Sequence, residues 1–595
     1  MKLEFEMGLK LEDCLLYAVT DKSWLRGQTL AQQVEAALRG GVTMVQLREK
    51  TLSGQALEQE AEEILGLCRQ YGVPLLINDD VMLAKKIGAD GVHVGQSDMA
   101  AAEARSILGN DAIIGVTART VEQALAAEQA GADYLGSGAV FGTSTKKDAR
   151  PMDPAYFQQI CESVSIPVVA IGGITYDNIS RLRGRKMSGF AIVSGIFAAE
   201  DIEARTRQLW TEARVLCLPG QTERLHGLVQ KRRPVVQCIT NIVTVNDCAN
   251  ALLAIGASPT MAHHPEEMAD FAAVSDALVC NMGATESLEA MMAAGLAGKT
   301  DASVLSDKSE TSDLSVLSGQ TDTSALSGKS DTSVLSGSSV KSETSETSET
   351  SETTAAFGAS GAGRPIVIDP VGCASSAFRR RKCLDLIDAV HPACIRGNAS
   401  EILALATDRN TGRGVDDPAV KNVAAPVSED SGADRQAGHA STVPGRKYGL
   451  DSDSKTSAAS TAPGARSGLD SDSKASAAAV PTAKSNAIQA AMELSQRTGA
   501  IVTVSGETDY VVSGTRVYEV PGGSAWMSRV TGTGCMLSSL MGAYLAVENS
   551  ALSAAACCAM MNACAEKAYA ETVRREGGTG TFHIALMDAL SGRIQ

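Results

Sequence analysis

Eight short apolar runs, each followed by a stretch with helical spacing, fill roughly the first 215 residues and constrain this part of the chain more than any other feature. The runs are CLLYAVT (14–20), MVQLRE (44–49), LLIND (75–79), GVHVG (91–95), IIGVT (113–117), YLGSGAV (134–140), VVAIGG (168–173) and FAIVSG (190–195). Between them lie amphipathic segments such as LAQQVEAALRGG and TVEQALAAEQAGA, which end in glycine as helix C-termini prefer. Continuous apolar strands alternating with helices imply a parallel sheet covered on its outer face, and eight such units close it into a (β/α)8, or TIM, barrel. In that fold chemistry sits where strands end. Gln46, Arg48, Lys50, Asn78, Asp79, His93, Asp98, Thr117 and Lys146 are therefore expected to share one mouth.

A chain of 595 residues is too long for one core. Two segments do not read as core. One covers 300–361, with repeated SVLSG or SALSG units and SETSETSETSET from Ser342; the other covers 408–484, with near-duplicates beginning at Gly449 and Gly468. Both lack the apolar content that would offset an ordering cost of about 1–2 kcal/mol per residue, and are expected to be disordered insertions. The pieces around them combine into a second α/β unit, 216–595, with strands at VVQCIT (235–240), ALVCNMG (277–283), IVIDPV (366–371), CIRGN (394–398) and IVTVSG (501–506), then a hairpin within TDYVVSGTRVYEV (508–520). The join with the barrel unit, 1–215, is expected near 211–221, within a helical pattern.

A net charge of −16 argues against nonspecific binding to nucleic acid or anionic membrane. No stretch approaches the roughly 18–20 apolar residues needed to span a bilayer, and acidic residues interrupt the N-terminal segment where a signal peptide needs an apolar run. The 14 cysteines are scattered, without metal-ligand spacing. A cytoplasmic protein with reduced thiols, acting on small molecules, is expected.

The mouth pairs two carboxylates, Asp79 and Asp98, with Arg48, Lys50 and Lys146. Hard oxygen ligands beside cations suit Mg2+ and a polyphosphate, although either aspartate alone could instead be a helix N-cap. In the second unit, RVTGTGCMLSSLMGAYLA (529–546) sets a glycine-rich turn before an apolar helix, a place where amide groups and the helix dipole favour an anion. In IRGNASEI (395–402), Asn398 and Glu401 share a helical face as a Mg2+–water site could use, and Arg396 offers charge to a nucleotide phosphate. The absence of GxxxxGK[ST] argues against a P-loop kinase.

QLREK (46–50), LINDD (76–80), GVHVGQSDM (91–99), GVTART (115–120), GSGAVFGTSTKKDA (136–149), AIGGI (170–174) and VSGIF (193–197) together resemble thiamine phosphate synthase, in order across the whole barrel. The resemblance implies that Gln46, Arg48, Lys50, Asn78, Thr117 and Lys146 bind an aminopyrimidine diphosphate and that Asp79 and Asp98 hold Mg2+. It implies further that Thr143, Thr145, Gly173, Val193 and Ser194 receive a thiazole phosphate. Thr117 stands where that family often has serine and Arg119 where histidine is common; Arg119 is given no role. His93 reads as a packing residue rather than a base.

The second unit, through QCITNIVTVNDCANALLAIGASPTMAHHPEE (237–267), IDPVG (368–372), VSGETDYV (504–511) and the glycine-rich turn, resembles hydroxyethylthiazole kinase of the ribokinase-like superfamily. By that resemblance Met261 and Gly532 contact the thiazole, and Arg396 and Ser505, the latter in place of a more usual threonine, bind ATP. Cys535 occupies the position where related kinases carry an aspartate base, and is expected to position the substrate hydroxyl or deprotonate it, its thiol activated by the helix N-terminus. The combined expectation is a bifunctional thiamine biosynthesis enzyme needing Mg2+ and ATP, oligomeric through a trimeric kinase unit. Its rivals are a chain in which one half has become a binding or regulatory module, and a phosphate-binding barrel of other specificity fused to a sugar kinase.

Overall fold

The structure, a computed structural model, describes residues 8–142, 151–297, 363–407 and 483–592. All eight expected runs form strands: β1 (Leu16–Val19), β2 (Met44–Leu47), β3 (Leu75–Asn78), β4 (Gly91–Val94), β5 (Ile113–Thr117), β6 (Tyr134–Gly138), β7 (Val168–Ile171) and β8 (Gly189–Ile192). Each pairs in parallel with the next, and β8 returns to β1 through Tyr17↔Ala191, closing the barrel. Local sequence sets the helices between them. In helix Leu30–Gly40, Thr29 accepts the Gln32 amide while Gln32 reaches back to Thr29, and Gly41 ends the helix in the left-handed region at φ 104°. Its Leu30, Val34, Ala37 and Leu38, at helical spacing, are buried.

The second unit is one sheet, ordered β10-β9-β11-β12-β13-β14-β15-β16. Its strands are β9 (Val235–Ile239), β10 (Ser258–Thr260), β11 (Ala277–Asn281), β12 (Ile366–Asp369), β13 (Cys394–Asn398), β14 (Ile501–Ser505), β15 (Thr508–Ser513) and β16 (Arg516–Pro521). The first six in that order are parallel, and β14, β15 and β16 pair antiparallel. Successive residues serve opposite cores: Val236, Val279 and Val367 join the one continuous with the barrel, whereas Ile239, Leu278 and Ile368 join one confined to the other face. The sequence reading placed no strand at Ser258–Thr260. That segment is a short, half-buried edge strand whose proline is tolerated because an edge leaves one side unpaired.

The insertions expected at 300–361 and 408–484 lie outside the described residues, except that the last two positions open helix Ala483–Thr498. The join, by contrast, is fully described. One helix, Ile202–Arg232, runs through it, burying Leu209, Trp210, Ala213 and Leu216 toward its first half and Leu225, His226 and Val229 toward its second. Gln221 donates to the Ser188 carbonyl (2.7 Å) in the barrel, while Arg232 donates to the Val547 carbonyl (2.8 Å) in the second unit. Further contacts come from residues preceding β1 and β2, at the end of the barrel opposite its mouth. The Leu11 amide donates to Glu548 (3.0 Å), the Tyr518 hydroxyl to Glu12 (3.0 Å), and Arg516 to the Val42 carbonyl (3.4 Å).

Candidate active sites

The described candidates of the barrel lie at or just beyond the C-terminal end of a strand, except Gln46 and His93, which lie one residue inside β2 and β4. Asn78 ends β3, and Asp79 follows at φ 65°, its amide bound to the His93 carbonyl (2.9 Å). A left-handed non-glycine residue is uncommon, and at the rim of a cleft it aims the side chain away from the path of the helix that follows. That helix, Val81–Ile87, is capped by Asp80, whose carboxylate accepts the Leu83 amide (2.8 Å). The N-cap alternative therefore belongs to Asp80 and leaves Asp79 free of it. Asp98 accepts the Gly95 amide (2.8 Å), while the next helix, Ala101–Leu108, starts after Ala100 without a side-chain cap. The two carboxyls meet. Burial, a hydrogen bond with Asp98 and the Asp98 charge push Asp79 up to about 6, against the opposing pull of Asn78 (2.6 Å) and Arg48. Two carboxyls pressed together so that one is held above its ordinary range form a site that a divalent cation would relieve. Among the described residues no group of three or more acidic, histidine or cysteine side chains has metal-site geometry; a two-carboxylate Mg2+ site completed by substrate oxygens and water remains consistent with the pair.

Arg48 and Lys50 lie just past β2, in a loop organised by Glu49. Its carboxylate takes the Lys50 amide (2.7 Å), the Leu52 amide (3.1 Å) and the Thr51 hydroxyl (2.5 Å), and pairs with Lys22 (2.6 Å). A cavity of about 490 Å3 beside this loop is lined by Lys50, Asn78 and Asp79. Gln46 is buried within β2 and donates to the Tyr17 hydroxyl (2.7 Å), and the Thr117 hydroxyl bonds His93 Nε2 (3.0 Å). His93 is thus part of a polar chain inside the barrel, a placement the sequence reading did not anticipate. On the far side, Gly173 sits at φ 66° so close to the Gly142 carbonyl that an added Cβ would fall 2.1 Å from its oxygen. Val193 and Ser194 open the single-turn helix Ser194–Phe197 after β8. Thr143, Thr145 and Lys146 lie outside the described residues.

In the second unit the candidates gather at the C-terminal edge of the parallel strands. Gly532, at φ 85°, precedes helix Thr533–Val547, and Cys535 lies in its first turn. The Arg396 guanidinium donates to the Ser505 hydroxyl (2.6 Å) and passes Gly534 so closely that a Cβ there would lie 2.8 Å from it. Met261 follows β10 and packs against the core, on the same strand edge.

Two expectations change. The helix start does not activate Cys535. Burial, with the nearby Asp369 charge, pushes the thiol up to about 12, outweighing hydrogen bonds from Thr244 and Asn281 (3.1 Å), so it is neutral at ordinary pH. Asn398 and Glu401 form a reciprocal cap: the Glu401 amide donates to Asn398 Oδ1 (2.9 Å) and the Asn398 amide to Glu401 Oε2 (3.0 Å), while Glu401 Oε1 takes the Gly372 amide (3.0 Å). Their spacing thus has a backbone purpose apart from any metal.

The residue the sequence reading passed over is Asp369, quoted within IDPVG but given no role. Fully buried at the end of β12, it accepts Asn281 (2.9 Å) and Ser538 (2.9 Å) on Oδ2. Oδ1 has no partner among the described residues. Burial raises its pKa, while Arg396, Ser538, Cys535 and Asn281 pull the other way. The available signal was an aspartate closing an otherwise apolar strand.

A closed parallel barrel with a carboxylate pair and cations at its mouth, joined to an α/β sheet with an arginine beside a glycine-opened helix, defines a pair of phosphate-handling catalytic units on one chain. Residues 16–196 match the family model described as thiamine monophosphate synthase, and residues 227–305, 342–440 and 462–594 match that of the hydroxyethylthiazole kinase family. The thiamine-phosphate synthase of Ruminiclostridium cellulolyticum is 47% identical over 197 residues, 33% of this chain and 94% of that protein. A Schizosaccharomyces pombe protein described as a "probable thiamine biosynthetic bifunctional enzyme" is 28% identical over 612 aligned positions, covering 97% of this chain and 94% of its own length. A solved structure of thiamine phosphate pyrophosphorylase from Pyrococcus furiosus matches at 35% identity, over 35% of this chain and 98% of that one, with a TM-score of 0.33. The chain belongs to the thiamine monophosphate synthase family in its barrel and to the hydroxyethylthiazole kinase family in its second unit.

Proposed function

We propose that the chain is a bifunctional thiamine biosynthetic enzyme: its second unit phosphorylates hydroxyethylthiazole with ATP, and its barrel joins the resulting thiazole phosphate to an aminopyrimidine diphosphate, giving thiamine phosphate and pyrophosphate. The observation that carries the barrel's part is the facing of Asp79 and Asp98 at a mouth that also holds Arg48 and Lys50. A charged leaving group is stabilised most by fixed opposite charge. Mg2+ held by the two aspartates would supply charge for the diphosphate, with Arg48, Lys50 and Lys146 as its cationic partners. Gln46, Asn78 and Thr117 would orient the pyrimidine. The close approach of Gly173 to Gly142, and of Gly195 to the Ile174 carbonyl, supports the far side as the thiazole phosphate pocket.

In the kinase unit, Arg396 and Ser505 would hold the nucleotide phosphates, and the amides opening helix Thr533–Val547 would face charge developing in transfer. Met261 and Gly532 would border the thiazole. With Cys535 neutral, its place is to position the substrate hydroxyl, and the proton released as oxygen attacks the γ-phosphorus would pass to Asp369 Oδ1, the unpartnered carboxylate oxygen within the site. Glu401, raised to about 7 by burial and by Asp369, lies on the face where Mg2+ of the nucleotide would relieve both charges; Asn398 would reach that ion through water.

All 14 cysteines are free and all but Cys535 are buried, which supports a reducing compartment, the cytoplasm. No helix among the described residues is long and apolar enough to cross a membrane. Ile242 and Val243, beside the kinase site, are 85% and 66% exposed, which supports a homo-oligomer that covers them; that it is a trimer through the kinase unit is what the family resemblance suggests. The deciding experiment supplies hydroxyethylthiazole, ATP, Mg2+ and aminopyrimidine diphosphate together and follows thiamine phosphate. Thiazole phosphate accumulating without thiamine phosphate would remove the barrel's role, and no thiazole phosphate at all would remove the kinase's.

A further inference from the structure

A chain of buried hydrogen bonds crosses the barrel interior. Gln46 Nε2 donates to the Tyr17 hydroxyl (2.7 Å), the Tyr134 hydroxyl donates to the same Tyr17 oxygen (3.0 Å), His93 Nδ1 meets the Tyr134 hydroxyl (2.8 Å), and His93 Nε2 meets the Thr117 hydroxyl (3.0 Å). Tyr17 and Tyr134 are 1% and 0% exposed, Gln46 4% and His93 8%. Burial holds both phenols well above their ordinary range, so they keep their protons.

The sequence makes room for this chain. A Cβ on Gly115 would lie 2.2 Å from the Tyr134 ring, and one on Gly136 would lie 3.0 Å from His93 Cε1. The rings also pack on one another, Tyr17 edge-on to Tyr134 at 5.9 Å and His93 tilted to Tyr134 at 5.5 Å. Filling a barrel interior needs only aliphatic side chains. Burying two phenols, an imidazole and an amide there costs desolvation that pairing offsets, and the hydrogen bonds along the chain hold each member's orientation.

Its two ends are Gln46 and Thr117, the residues read above as facing the pyrimidine. We infer that Tyr17, Tyr134 and His93 are positioning residues for pyrimidine recognition, setting which atoms Gln46 and Thr117 present to the ring. Tyr134 spends its proton on Tyr17, so His93 carries a proton on Nδ1. In the neutral ring Nε2 then accepts the Thr117 proton, and the Thr117 oxygen faces the ligand as an acceptor. At the other end one amide proton of Gln46 is committed to Tyr17. This leaves the second proton and Oε1 for an aminopyrimidine edge, which offers ring nitrogen and amino group side by side. The inference rests on the reading of the mouth as a pyrimidine diphosphate site.

The test is Tyr134→Phe and Tyr17→Phe, each of which keeps the ring and removes one hydroxyl. For both, the coupling kcat/KM for the pyrimidine diphosphate should fall at least about tenfold, mainly through KM, while KM for thiazole phosphate and the rate of thiazole phosphorylation stay within about twofold. Ser137→Ala is the matched control. Ser137 is buried on β6, on the face opposite Tyr134, its hydroxyl lacks a partner among the described residues, and its loss should leave all three quantities unchanged. Phenylalanine variants that couple as well as wild type overturn the inference and leave the function standing, as does an equal rise in both KM values, the mark of a general loosening. A wild-type protein that cannot couple at all removes the function and the inference with it. Should Tyr134→Phe fail to fold, Tyr17→Phe decides alone, because it removes only the shared acceptor.

Discussion

Asp79 and Asp80 are identical neighbours with different work, and only backbone geometry separates them. Asp80 caps a helix, while Asp79, turned into the left-handed region, meets Asp98. Asp79→Asn is therefore expected to lower coupling at least about a hundredfold and leave thiazole phosphorylation unchanged, measured by supplying each unit's substrates separately. A parallel loss of both rates in a folded variant would show that the carboxylate serves no single site. For Cys535, burial and the Asp369 charge favour a protonated thiol. Cys535→Ala should cut the kinase kcat/KM about tenfold without touching coupling, and the wild-type pH profile should show no thiolate ionisation near neutrality. An ionisation there that vanishes in the alanine variant would restore the base. The sequence made the rim of the barrel legible because charged residues at the ends of apolar runs stand out. It hid Asp369 and the Tyr17–Tyr134–His93 chain, whose polar atoms are matched across strands distant in sequence.

At the scale of elements, the strands were readable wherever apolar runs served two buried faces, and β10 escaped because an edge strand of Ser, Pro and Thr carries no such run. Helix Ile202–Arg232 was visible as a helical pattern but not as one rod, since Pro219 lies within it. The proline costs less here than in a helix interior packed on all sides, because Val215, whose carbonyl would have been the partner of its missing amide, is 44% exposed. Leu216 sits near the middle of the rod, 3% exposed. Leu216→Ala is expected to cost about 2–5 kcal/mol and to lower the stability of both units together, read by barrel and kinase activity after graded heating. Loss of one activity well before the other would mean that the helix belongs to a single unit.

For the molecule as a whole, the barrel and the second sheet contribute to one continuous apolar cluster, closed at the barrel's lower end by buried acids. Burial, helped by Glu12 and Glu548 and opposed by the Lys10 amide and charge, raises Asp13 from 3.8 to about 7. Glu548, across the junction, is raised by burial in the same direction, against the pull of the Leu11 amide and Ser550. A carboxyl whose folded pKa lies above its unfolded one contributes stability fully present below the unfolded value and lost as pH rises through the folded one. Stability from this junction should accordingly decline from pH 3.8 to about 7, and Asp13→Asn should flatten that part of the profile in thermal melts. An unchanged slope would place the titration elsewhere. The shared helix has a further consequence, for supply rather than for strength. Each copy of the chain carries one maker and one user of thiazole phosphate, so no change in gene dosage can alter their ratio. Balance between the two steps is left to turnover at each site, and phosphorylated thiazole accumulates only where the barrel is the slower of the two.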